Sequence, residues 1–161
     1  MSETSMTATA PAPAATTSSR GSSRGSARNW TLARLFRELA SLGPLRVISV
    51  TPGSTFEAIC EVGSFGIAHG HLNAITEAYH WHLDLQRLRY LRSVSEVHAR
   101  SGREVLYFEL KESAEAQASL WIYLYRRPKE GFGDLREARF AVLHVELMAG
   151  VELDPAAEDA P

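Results

Sequence analysis

Four of the six histidines in this 161-residue chain stand at positions 69, 71, 80 and 82. His69 and His71 flank Gly70, and His80 and His82 flank Trp81. Imidazole is a ligand for iron, copper and zinc. On an extended strand, residues i and i+2 share a face. His80 and His82 therefore project together, with Trp81 opposite. His69 and His71 do the same if their segment is extended, and Gly70 between them permits close backbone approach. If the two strands are neighbours, four imidazoles approach one another.

Two ligand chemistries follow. One is a small zinc site made of histidines and a carboxylate, although the helical spacing His-Glu-x-x-His does not occur. The other is haem, which needs one or two axial imidazoles and a wide apolar wall. Phe65, Tyr79, Trp81, Trp121, Tyr123 and Tyr125 are the aromatic residues that could supply the wall. Arg87, Arg89, Arg92, Arg100, Arg103, Arg126 and Arg127 are available to the propionates. The plain alternative for any one of these histidines is a polar sheet residue or a hydrogen-bonded core imidazole.

Little else points to chemistry. The single cysteine, Cys60, excludes an internal disulfide and a cysteine-rich zinc site. It follows Ile59 within an apolar strand and reads as a small buried residue. His98 and His144 are isolated and read as structural. No Gly-x-Ser-x-Gly elbow is present. Glu57 and Glu61 share a strand face, as a solvated edge or a site for basic groups.

The elements that must position the histidines are short. Residues 1–28 are almost entirely Ser, Thr, Ala, Pro, Gly and Arg. They carry too little apolar surface to offset the entropy of ordering and read as a disordered tail. From residue 29 the pattern changes. Leu32, Leu35, Phe36 and Leu39 recur at helical spacing, with Asn29 or Thr31 as the cap and Gly43 and Pro44 as the stop. Residues 45–50 and 56–62 flank a Thr-Pro-Gly-Ser turn and form a hairpin. Residues 64–72 and 78–85 are the next strands. Residues 94–98 and 104–110 pair around Ser101 and Gly102. A polar loop spans 111–118.

The strand 120–125 is apolar or aromatic on both faces, with Leu120, Ile122 and Leu124 on one and Trp121, Tyr123 and Tyr125 on the other. One face builds the core, and the other meets a partner subunit, a helix or a flat ligand, or is covered by the protein itself. A helix over 134–149 opens on Asp134 and Glu137 as a capping box, carries Leu135, Ala138, Val142 and Val145 as its apolar stripe, and stops at Gly150. Residues 151–161 read as a loose acidic tail. The sum is one α+β domain over 29–150, an antiparallel sheet with a helix near each end. There is no βαβ unit and no glycine-rich phosphate loop.

Composition narrows the function. A net charge of -2 gives no general attraction for nucleic acid or an anionic membrane. No apolar run is long enough to span a bilayer. The N-terminus lacks the basic-then-apolar order of a secretory signal, so the cytoplasm is the expected compartment.

The order of these segments resembles the intracellular haem-utilisation carriers of the HutX/ChuX type, single-domain relatives of half a duplicated HemS-type protein. The resemblance runs from about residue 39 to 144. It rests on Leu42, Gly43, Pro44 and Leu45 at the first helix end, on Phe56 and Glu57, on the segment 69–73, and on the segment 80–85 set against the family's Ser-Gly-His-Leu-Lys-Leu. It continues through Val105 to Phe108, through 120–126 set against Phe-Lys-Ile-Phe-Leu-Gly-Arg, and through the closing helix with Phe140.

The resemblance implies a saddle-shaped antiparallel sheet, a homodimer, and haem as cofactor or cargo. It implies His82 as the haem-associated histidine and iron ligand, and His69 matches a residue of the family's Gly-aromatic-Phe-Asn strand; His80, His71 and His69 stay as alternates from their spacing, and Trp81, Trp121 and Tyr123 as ring contacts from the aromatic wall. This chain departs from the pattern at Trp81, where the family has glycine, at Trp121, where it has lysine, and at Val50 and Thr51, where some members carry a histidine. The expected function is haem carriage, storage or delivery without catalysis, to a haem-accepting partner protein. The alternatives are an assembly or interaction protein that reuses the fold, and a haem-degrading enzyme.

Overall fold

The computed structural model describes residues 29–155. The tail expected to be disordered over 1–28 and residues 156–161 lie outside the described residues. Two helices and nine strands follow in the order α1 (Leu32–Ala40), β1 (Leu45–Thr51), β2 (Ser54–Cys60), β3 (Phe65–Ala68), β4 (His71–Ile75), β5 (His80–Asp84), β6 (Tyr90–His98), β7 (Arg103–Lys111), β8 (Leu120–Leu124), α2 (Asp134–Leu147) and β9 (Val151–Glu152). The strands form a six-stranded sheet, β2-β1-β8-β7-β6-β9, and a three-stranded sheet, β3-β4-β5. Every pairing between strands is antiparallel.

Turn chemistry sets the registers. Pro52 and Gly53 (φ 84°) join β1 to β2, so that Thr51 pairs with Ser54, with proline first and a positive-φ glycine second as in a type II turn. Thr31 caps α1, its side chain accepting from the Arg34 N–H at 3.0 Å. Gly43 (φ 67°) and Pro44 stop that helix. The helix buries Leu32, Ala33, Leu35, Phe36 and Leu39. Phe36 meets Phe65 of β3 edge-on, with centroids 5.6 Å apart. The helix α1 thus packs on the three-stranded sheet, and α2 packs on the larger one through Phe140 against Phe108 at 5.3 Å.

The helix α2 reverses the expected face. Leu135, Val142 and Val145 are 69%, 65% and 77% exposed, and Met148 joins them outside. Phe140, Leu143 and Leu147 are the buried residues. The helix carries two apolar stripes at helical spacing, and the sheet takes the one with the larger rings and side chains, because burial gain grows with apolar area. The expected capping box also differs. Gly133 (φ 88°) is the N-cap and no side chain caps the helix, although Asp134 and Glu137 lie in its first turn and favour the dipole.

The C-terminal segment differs as well. Residues 151–154, expected to be loose, are pinned. Val151 and Glu152 pair with Leu91 and Tyr90, Leu153 is buried and bridges Trp30, and the Asp154 N–H donates to the Trp30 carbonyl at 2.9 Å. Leu153 is the apolar anchor inside an otherwise acidic sequence.

Candidate functional site

The two histidine pairs sit on the three-stranded sheet. His69 and Gly70 form the two-residue turn between β3 and β4, with φ of 54° and 76°, the two positive values a type I′ hairpin requires. The segment 64–72, expected as one strand, is therefore two strands and a turn. His69 does not share a strand face with His71. Across β4 and β5, His71 pairs with Asp84, Asn73 with His82 and Ile75 with His80. These six residues form the outer face of the sheet. Its inner face carries Leu72, Ala74, Trp81 and Leu83 toward the core, so Trp81 does lie opposite its flanking histidines.

His82 is held by its neighbour. Its Nδ1 lies 2.6 Å from the Asn73 Oδ1. The Asn73 amide nitrogen in turn donates to the carbonyls of His71 at 2.9 Å and Ala68 at 3.3 Å. His71 Nδ1 lies 2.9 Å from the carbonyl of His69, across the turn. The rings of His80 and His82 are 6.4 Å apart and edge-on. Among the described residues no three His, Cys, Asp or Glu side chains converge to hold a metal ion. The small zinc site therefore has no set of protein donors there.

A cleft of about 730 Å³ opens between β5 and the inner face of β1 and β2. The strand β5 is an edge strand of its sheet, so the cleft lies between that strand and a face of the larger sheet. Val47, Phe56, Trp81, Leu83, Leu88 and Leu120 give it apolar walls, and His80 and His82 line it. Phe56 is 63% exposed there. At the rim Arg87 pairs with Glu112 at 2.7 Å, both side chains well exposed. A shallower depression on the hairpin side is lined by His69, His71, Asn73 and again His82. His82 alone among the four histidines borders both hollows.

The other predicted contacts are distributed differently. Trp121 and Tyr123 lie on the far face of the six-stranded sheet, since Leu120, Ile122 and Leu124 turn inward. Tyr123 stacks against Tyr107 at 4.7 Å, and Trp121 stands between Ile48 and Glu109. Neither reaches the cleft. Of the seven arginines considered for propionates, Arg87 alone lines it. Arg92 instead pairs with Glu109, and Arg126 lies over the Phe132 ring.

Cys60 lines the cleft, where burial pushes its thiol up, partly offset by a hydrogen bond with Tyr79. It stays a thiol and a wall residue. Asn73, Phe56 and Val47 were not singled out as site residues from sequence. An Xaa-Gly pair flanked by alternating apolar residues was the available signal for the hairpin that sets Asn73 opposite His82.

A haem fits what is present. A porphyrin needs one imidazole with an unprotonated nitrogen, an apolar slot and cations at the edge. His82, the cleft walls and Arg87 are chemically of these types. The volume lies within the range of ligand pockets, about 300–1,000 Å³.

No family model matches the sequence, and no curated protein matches it. Solved structures do. The chain is similar to the haem-binding protein ChuX, with a TM-score of 0.59, 16% identity, and coverage of 70% of each chain. It is similar to holo-PhuS, a haem-binding protein of Pseudomonas aeruginosa, with a TM-score of 0.56, 19% identity, and coverage of 68% of this chain and 31% of that one. It is also similar to ChuS, described as a haem oxygenase of E. coli, with a TM-score of 0.57, 17% identity, and coverage of 70% and 34%. The chain spans about a third of the latter two. At these identities the likeness establishes the fold.

Proposed function

We propose that this chain, which shares its fold with ChuX and with about a third of PhuS and of ChuS, binds haem in the cleft beside β5, with His82 as the iron ligand. The observation that carries the reading is the position of His82. It borders an apolar cleft of about 730 Å³ while its Nδ1 is engaged by Asn73. Haem, when bound, would supply an iron that takes an imidazole ligand and a broad apolar face. Val47, Phe56, Trp81 and Leu120 would cover that face, and Arg87 would exchange Glu112 for a propionate. His80 lines the same cleft and is the first alternate ligand. His71 and His69 border the hairpin side and come after it. The solved structures named for haem binding share the fold and support the reading.

The test is a haem titration followed by the Soret band. Wild type is expected to saturate at one haem per chain. His82→Ala is expected to weaken binding at least tenfold and to shift the band, and His80→Ala to change it less. If replacing all four clustered histidines leaves the spectrum unchanged, the ligand assignment fails.

Carriage, storage or delivery is the preferred role. The cleft is open beside the edge strand β5 and its histidines are exposed, which suits exchange with a haem-accepting protein. Haem degradation is the competing reading, and ChuS shares this fold. Incubation with haem and a reductant decides it, since Soret loss beyond a peroxide-driven background overturns the carrier role. A homodimer through the far face of the six-stranded sheet is part of the proposal, because Trp121, Tyr123 and Ile48 form a half-buried aromatic and apolar patch there. Light scattering on the haem-free protein reads its mass. A dimer that binds no haem favours an assembly or interaction protein instead.

A further inference from the structure

We infer that Asn73 is the positioning residue that makes His82 a ligand for a metal-bearing macrocycle, by fixing the tautomer in which Nε2 carries no proton. The inference rests on the haem reading for its ligand and on local geometry for its mechanism. Asn73 has two amide hydrogens and one carbonyl oxygen. Its nitrogen faces two carbonyls, those of His71 at 2.9 Å and Ala68 at 3.3 Å. Carbonyl oxygens only accept. A flipped amide would set its own oxygen against both. The amide orientation is therefore determined by the hairpin backbone, and Oδ1 is the atom left facing His82.

That oxygen also only accepts, so the hydrogen in the 2.6 Å contact belongs to His82 Nδ1. A neutral imidazole has one N–H, and the hydrogen bond of one nitrogen sets the state of the other. Nε2 then presents its lone pair. It has no hydrogen-bond partner among the described residues. This is the support that metal-ligating histidines receive from a neighbour that accepts their other N–H.

The same reasoning separates the four histidines. His80 has no such acceptor among the described residues. His71 has one, the carbonyl of His69, but it borders only the hairpin side. His82 alone combines a fixed Nε2 with a place on the apolar cleft. The ligand class follows. An unprotonated Nε2 rewards a metal with an open axial position and offers nothing to a metal-free ring.

The experiment has two arms. In haem-free protein labelled with ¹⁵N, at a pH well above the ordinary imidazole range, long-range proton–nitrogen spectra report the His82 tautomer. Wild type is expected to show an unprotonated Nε2, and Asn73→Ala a mixture of both tautomers. In the second arm, iron protoporphyrin and metal-free protoporphyrin are titrated into wild type and Asn73→Ala. The iron form is expected to lose about 10- to 100-fold in affinity, and the metal-free form to bind both alike. A proton on Nε2 in wild type overturns the inference whether or not haem binds. Equal losses for both porphyrins also overturn it, since they mark a merely structural asparagine. An unprotonated Nε2 together with no haem binding overturns the proposed function and leaves the assigned tautomer in place.

Discussion

The rings of Phe36 on α1 and Trp81 on β5 lie 5.3 Å apart at an angle of 51°. Phe36 is fully buried, and Trp81 lines the cleft. Trp81 is therefore a wall with a foundation. One side rests on the core and the other faces the ligand space. The bulk of the indole is absorbed inward by α1, and the cleft stays open beside it.

That contact makes the cleft depend on a residue outside it. Phe36→Ala removes a fully buried ring and is expected to cost about 3–5 kcal/mol. Urea unfolding measures the loss. Below the transition, the same variant is expected to show altered tryptophan emission and weaker haem binding, because Trp81 loses its support.

Arg136 ties together segments far apart in sequence. Its guanidinium donates to the carbonyls of Leu42, Pro44 and Tyr125, the last two at 2.7 and 2.8 Å, with a longer contact of 3.5 Å to Phe132. The end of α1, the start of β1 and the end of β8 thus share one planar fork. Arg136→Met is expected to destabilise by about 2–3 kcal/mol, since bonds from a charged donor are among the stronger ones. Arg136→Lys is expected to recover little of this, because one ammonium cannot span the same carbonyls. Thermal melts of the three proteins check both statements.

Three of the five tyrosines titrate late. Burial is the largest cause for Tyr79, Tyr107 and Tyr123, with Glu96 adding to the effect at Tyr107 and Arg46 opposing it at Tyr123. A phenol whose folded value lies above its unfolded one, about 10, is protonated more fully in the folded state. Stability is therefore complete below about pH 10 and falls as pH rises past it. Denaturant midpoints measured from pH 8 to 11 are expected to be flat and then to drop. Absorbance of the phenolate is expected to show Tyr79, Tyr107 and Tyr123 ionising together with unfolding.

The outward stripe of α2 gives a direct contrast. Val145→Lys is expected to change stability by less than about 0.5 kcal/mol, and Leu143→Ala, two residues away, by about 2–5 kcal/mol. Chemical denaturation of the two variants distinguishes the observed face from the expected one.

Much of the architecture was legible because it is local. Thr31, Gly43 and Pro44 mark α1, Pro52 and Gly53 mark a turn, and the alternation of Leu120, Ile122 and Leu124 with Trp121 and Tyr123 separates the two faces of β8, though not which of them faces in. The α2 face was not legible. Two apolar stripes satisfy the same period, and only the partner surface chooses between them. The site was half legible. His80 and His82 share a face as i, i+2 spacing dictates, but a histidine at positive φ hid the turn at His69. Without that turn the register of β4 against β5 was invisible, and so was Asn73. Trp121 and Tyr123 were expected at the haem as aromatic wall residues, whereas strand alternation carries them to the opposite side of the sheet from Leu120.

The bridge between Trp30 and Leu153 has a topological consequence. Residues near both ends of the described unit lie side by side, with Asp154 bonded to Trp30, while the turn at 99–102 is exposed throughout. A circular permutant that links 155 to 29 through a short flexible segment and opens the chain at that turn is expected to keep both sheets, because no strand pairing is cut. In such a protein β7 would begin the chain and β6 would end it, and the cleft would be lined by residues from near both new ends as well as from its middle.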